Sequence, residues 1–133
     1  MGKSTVLNLL ARKIIDNNQY MTIACANNED SWISPVAYAQ DSDNIFYFVS
    51  MPDSKHISYI KRNKNVTVAI FDSHQDWGSG IGLQIEGEIS EVALIELPHA
   101  MTVYFTRNNP YGKITDAYGK ALKNLLKIKN YKM

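Results

Sequence analysis

The sequence predicts a small antiparallel β-barrel with flanking helices, on three observations. The chain has 133 residues, the size of one domain. Short apolar or alternating runs recur along it, separated by Asn-, Asp- and Gly-rich turns, as in a chain of antiparallel strands. Helical periodicity is confined to the start, a short central segment and the last third. Composition agrees: 45% hydrophobic and 20% charged residues are enough for a packed core.

The elements follow in order. Over residues 5–17, Val6, Leu9, Leu10 and Ile14 fall at the helical period and Asn17-Asn18 offers a stop, which predicts an amphipathic helix. Residues 20–26 and 31–39 read as two strands joined through the turn Asn27-Asn28-Glu29-Asp30, with Pro35 placing the second at an edge or a bulge. Ile45-Phe46-Tyr47-Phe48-Val49 is the most apolar strand signal and ends at Ser50-Met51-Pro52-Asp53-Ser54. A short helix follows, with Asp53 or Ser54 as N-cap, Lys61, Arg62 and Lys64 at its far end, and Asn63 and Asn65 bracketing its exit. Residues 66–71 and 83–92 read as strands around an eleven-residue loop, 72–82, that carries His74, Trp77 and three glycines. Gly87 marks a bulge in the longer strand. Residues 95–105 read as a helix with Pro98 in its first turn, residues 117–125 as another, and 126–129 as a closing strand.

Charge and cysteine usage limit the functions available. A net charge of +1 gathers no polyanion, so nucleic-acid and membrane-surface partners are not expected. No run reaches the roughly 18–20 apolar residues of a bilayer span. The single cysteine, Cys25, sits in an apolar run and fits a small core residue of a protein kept reduced, as in the cytoplasm. His56, His74 and His99 lie far apart without metal-ligand spacing. Gly78, Gly80 and Gly82 imitate a dinucleotide loop, but a strand follows them where that motif needs a helix.

The informative stretch is IFYFVSMPDSKHISYIKRN, residues 45–63. An apolar strand delivers Ser50, and a short loop brings Ser54, Lys55 and His56 to a helix start. Hydroxyls, an ammonium and free helix amides together suit a dianionic phosphate. The same residues also suit a plain helix cap with Lys55 in water.

Three segments carry a resemblance: TIACANNEDSWISPVAYA, FYFVSMPDSKHISYIKRNKNVTVAIF and GIGLQIEGEISEV. In their order and spacing, from about residue 20 to 92, the chain resembles the pyridoxamine 5′-phosphate oxidase-like family of FMN-binding split barrels. The resemblance implies a six-stranded antiparallel split β-barrel, a homodimer sharing FMN between two chains, and an oxidoreductase passing hydride to or from a small-molecule substrate or nicotinamide reductant. A non-enzymatic flavin- or haem-binding stress or carrier protein of the same fold is the alternative.

Residue by residue, the resemblance implies that Ser50, Ser54 and Lys55 lie near the FMN phosphate, with His56 beside them, and that backbone at Ser34, Pro35 and Val36 passes along the flavin. Gln84 reaches the ring's polar edge or is an outward-facing polar position. Trp77 covers the dimethylbenzene end, from the second subunit, or packs on the surface. No side chain is assigned as general acid or base; His56 and Tyr47 are the nearest candidates. Ile33 and Ser34 stand where the oxidases often carry arginine, and Ser54 where many members carry another. Fewer cations imply a weaker hold on the phosphate, and the tail beyond Arg107 matches poorly.

Overall fold

The computed structural model describes residues 3–50, 55–110 and 125–132. In chain order the elements are α1 (Lys3–Asn17), β1 (Tyr20–Ala26), β2 (Ser31–Ala37), β3 (Ala39–Gln40), β4 (Phe46–Val49), α2 (Lys55–Arg62), β5 (Asn65–Phe71) and β6 (Gly82–Glu91). A 3₁₀ turn (Leu94–Glu96), α3 (Leu97–Thr106) and β7 (Leu125–Lys132) complete them.

The strands form one antiparallel sheet in the order β2-β1-β5-β6-β7-β4-β3. Its two edge strands are consecutive in the chain, with only Tyr38 between them. The sheet therefore coils round until its first and last strands are two halves of one bent segment, and it stays open along that seam. This is a split barrel. The expected count of six strands is corrected to seven among the described residues: the run read as one strand over 31–39 bends at Tyr38, and its last two residues pair with β4 on the opposite edge. The physical cause lies at Tyr38. Its side chain is fully buried, its hydroxyl donates to the Ile15 carbonyl at 2.6 Å, and its backbone N–H donates to Gln19, away from either ladder.

Turn chemistry works as the residues predict. The Asn27 side-chain oxygen accepts the N–H groups of Glu29 and Asp30, which closes the β1–β2 hairpin as an Asx turn. Pro35 sits on the edge strand, where a missing N–H is tolerated. At Gly87 the β6–β7 register shifts between Glu86 and Glu88, as expected of a bulge. Gly80 and Gly82 serve packing: a Cβ at either would come within 2.9 and 2.8 Å of the Phe71 ring.

Alternation sorts the sheet into two faces. Met21, Ile23 and Cys25 of β1, Val66, Val68 and Ile70 of β5, and Ile85 and Ile89 of β6 point inward with Phe46, Phe48 and Ile128. The N-terminal helix departs from expectation. Val6, Leu9 and Leu10 are exposed, and the helix packs through Ala11, Ile14 and Ile15 because only its second half meets the barrel. The helix read over 95–105 is a 3₁₀ turn followed by α3, with Pro98 in the first turn of α3. The helix expected over 117–125 falls almost wholly outside the described residues. Its last residue, Leu125, opens β7, which is longer than expected and runs between β6 and β4.

Candidate functional site

Ser50 follows β4 and is buried; Lys55 is the first residue of α2. The apolar run of β4 ends just before Ser50, and α2 packs against β1 and β2, so this helix start lies beside the edge strand. Asn63 fastens the other end of α2: its amide nitrogen donates to the Ala26 carbonyl at 3.2 Å and its oxygen accepts the Asn65 N–H at 3.1 Å. Lys61 and Arg62 in the last turn suit the negative end of the helix dipole and leave the positive end at Lys55. Among the described residues no carboxylate pairs with Lys55; its ammonium lies 4.1 Å from the ring centroid of Trp32. Ser54 and the capping role expected of Asp53 or Ser54 lie outside the described residues, as does the His56 side chain.

The register of β2 on β1 divides the run Ser34, Pro35 and Val36 between two faces. Ser34 and Val36 share the inward row with Trp32, being paired with Ile23, Met21 and Cys25. Val36 is buried in the core, so only its backbone is available to a ligand. Pro35 and Ile33 face outward. On that outward side a groove of about 580 Å³ is lined by Thr22, Ala24, Ile33, Thr67, Ala69 and Gln84, among others. Gln84 lies there opposite Ala69 and is exposed, which settles its direction as outward and places it in the groove.

Trp77 stands apart from these residues and is fully exposed (100%). Its loop is nevertheless tightly built. Gln75 bridges it, donating to the carbonyls of Asp72 and Ile81 and accepting the Ile81 N–H at 2.9 Å, while Asp72 accepts the His74 N–H at 2.8 Å. Ser50 and Lys55 thus flank residues 51–54, which lie outside the described residues, while Gln84 is on the outward face of the sheet and Trp77 is in the exposed β5–β6 loop.

Of the two acid–base candidates, only the Tyr47 side chain lies within the described residues. Tyr47 is buried beneath α3 and its hydroxyl donates to Asp41 at 3.1 Å. Burial, and then the Asp41 charge, raise its pKa well above the usual phenol value, so it keeps its proton and is committed to that network. Cys25 is buried as expected, and burial pushes its thiol pKa up, away from nucleophile chemistry. No group of three or more potential metal-ligating side chains occurs among the described residues. No helix among them is long and apolar enough to cross a membrane.

Two residues near the site carry signals that the sequence did not expose. Trp32 reads there as an ordinary strand aromatic, and only the docking of α2 on β2 puts Lys55 over it. Arg107 reads as the last residue before a poorly matching tail, yet it ties three backbone segments together at the barrel's seam.

The family model for pyridoxamine 5′-phosphate oxidase matches residues 10–127, nearly the whole chain. The chain belongs to this family. Its match spans the edge strand, the start of α2 and the groove, so every described part of the candidate site lies within the family's shared architecture.

Solved structures carry the same fold. A FAD-binding protein from Mesorhizobium loti is similar with a TM-score of 0.66 at 21% identity, covering 92% of this chain and 90% of that one. HutZ, the heme storage protein from Vibrio cholerae, is similar at 0.73 and 12%, covering 96% and 94%. An FMN-binding protein from Syntrophomonas wolfei gives 0.62 and 13%, covering 98% and 92%. The chain also aligns over 99% of its length with a protein of unknown function from Agrobacterium tumefaciens, of which it spans only 57%. No curated protein matches in sequence. Members of one fold thus include flavin binders and a heme storage protein.

Proposed function

We propose that this family member binds FMN and acts as an oxidoreductase on an unidentified small substrate or a nicotinamide reductant, as a homodimer in the cytoplasm. The observation that carries the reading is the helix start at Lys55: a cation that no described carboxylate engages, at the positive end of α2, a few residues beyond buried Ser50. That donor set fits a phosphate monoester, which needs an ammonium, hydroxyls and free amides. When bound, the flavin supplies a reversible hydride acceptor. The chain's own residues hold and orient it. Lys55 and Ser50, with Ser54 and His56, seat the phosphate; the backbone of Ser34, Pro35 and Val36 runs along the ring at the open edge of β2. Gln84 offers an amide from the outward groove.

A second copy completes the site in this reading. The outward face of β1, β2 and β5 has small residues, Thr22, Ala24, Thr67 and Ala69, at its middle. Tyr20, Ile33 and Phe71 stand exposed around them, Ile33 by 64%. Apolar surface of this kind marks an interface, and Trp77 of the second copy would then lie against the ring's apolar end. Sedimentation of the wild type at dimer mass and of Ile33→Asp at monomer mass is the expected outcome; a monomeric wild type overturns this part.

Titration with FMN, followed by quenching of flavin fluorescence, tests the cofactor. Lys55→Ala is expected to weaken FMN roughly tenfold with the fold unchanged; equal affinities would place the phosphate elsewhere. The similarity to a heme storage protein favours a second reading, a haem carrier. Incubation with both ligands separates the two, since haem gives a Soret band and flavin absorbs in the blue. Reduction of the bound flavin by NADH or NADPH, and its reoxidation, then distinguishes an enzyme from a carrier.

A further inference from the structure

We infer that Trp32 is a positioning residue for the phosphate seat, holding the Lys55 ammonium in place for the anion. The inference rests on the reading that Lys55 meets the phosphate. Trp32 is 40% exposed, on the inward row of the edge strand opposite Cys25, so it is partly packed and still offers surface. The Lys55 nitrogen stands over that surface, 4.1 Å from the ring centroid. At this distance the ring's negative face attracts the cation. No described carboxylate competes for it.

An ammonium has three donors in a compact head. With its inner side on the indole, the outer side stays open to phosphate oxygens, so both interactions are satisfied together. A lysine of this exposure otherwise samples many rotamers, and fixing them costs binding free energy. Trp32 removes part of that cost before the ligand arrives.

Comparison of FMN with riboflavin, which differs only in lacking the phosphate, tests the inference. Affinities are measured for wild type, Trp32→Leu, Lys55→Ala and the double variant, each checked by circular dichroism and thermal melting. Trp32→Leu is expected to weaken FMN three- to fivefold while leaving riboflavin unchanged. In the double variant the Trp32 change is expected to add nothing to the Lys55 effect. Trp32→Phe, which keeps an aromatic face, retains most of the affinity and serves if the leucine variant folds poorly. Unchanged or tighter FMN binding by Trp32→Leu, equal weakening of FMN and riboflavin, or full additivity overturns the inference. If Lys55→Ala leaves FMN affinity intact, the phosphate-seat reading itself fails, and the inference with it; a weakened Lys55→Ala beside an unaffected Trp32→Leu sinks the inference alone.

Discussion

Replacing Arg107 by alanine is expected to lower stability by about 3 kcal/mol, read as a fall in melting temperature of roughly 10 °C. The guanidinium sits just beyond α3 and donates to three carbonyls: Tyr38 at 2.5 Å, Ile15 at 3.0 Å and Asn18 at 2.6 Å. Two of these belong to the end of α1 and its exit, where helix carbonyls lack intrahelical partners. The third is at the bend between the two sheet edges. The cation also lies over the Tyr38 ring, 4.5 Å from its centroid. One side chain thus joins α1, α3 and the seam of the barrel. Arg107→Lys is expected to recover less than half of the loss, because one ammonium cannot reproduce a planar fork that reaches three acceptors. A melting temperature within 2 °C of wild type for the alanine variant would remove Arg107 from this role.

Substitution of Asp41 has the second large effect, and it depends on pH. Its carboxylate is nearly fully buried and accepts four hydrogen bonds: from the N–H groups of Asp43 (2.9 Å) and Ile45 (3.0 Å), the Tyr47 hydroxyl (3.1 Å) and His99 Nε2 (3.0 Å). Burial by itself would raise the Asp41 pKa, but the Ile45, His99, Tyr47 and Asp43 bonds outweigh it, and the carboxyl lies below its usual value. A group whose pKa is lowered on folding stabilises the fold fully above its unfolded value, near 4, and the contribution disappears as pH falls through the folded value. Asp41→Ala is therefore expected to cost about 3 kcal/mol at neutral pH, because the buried Tyr47 hydroxyl and turn amides lose their acceptor. Urea unfolding at pH 7 and pH 3 checks both parts: the gap between wild type and variant should narrow at the lower pH. An equal gap at both values would mean that the charge of Asp41 is not what matters.

Neither network contains a residue of the proposed phosphate seat, yet both fix the elements around it. Asp41 orders the turn between β3 and β4, where Asn44 adopts a positive φ of 65°, and β4 then delivers Ser50. Arg107 holds the bend from which β2 runs as an exposed edge. The two edges of the split barrel are thus fixed without being joined, by clusters that lie outside the ladders.

Much of this was legible from residue order. Alternation in residues 65–71 and 82–91, the Asx turn at Asn27, the bulge at Gly87 and the helix start after Ser50 are properties of neighbours a few positions apart. The side chains that satisfy them are local. Residue order alone therefore specified most of the strands, the turns and the family. It did not determine that residues 31–39 would serve two edges, that the packed part of α1 would be its second half, or that Gly80 and Gly82 would make room for Phe71.

Those outcomes, with the Arg107 clamp, the Asp41–His99 pair and the seat of Lys55 on Trp32, were decided by the tertiary structure. Each joins residues far apart in the chain or depends on which face a neighbouring element covers: 58 positions separate Asp41 from His99 and 69 separate Tyr38 from Arg107. Such contacts exist only after the sheet has coiled enough to bring its ends together. Local periodicity reports which face of a strand is apolar and carries no information about the partner that will lie over it. Coiling of the sheet supplies that partner.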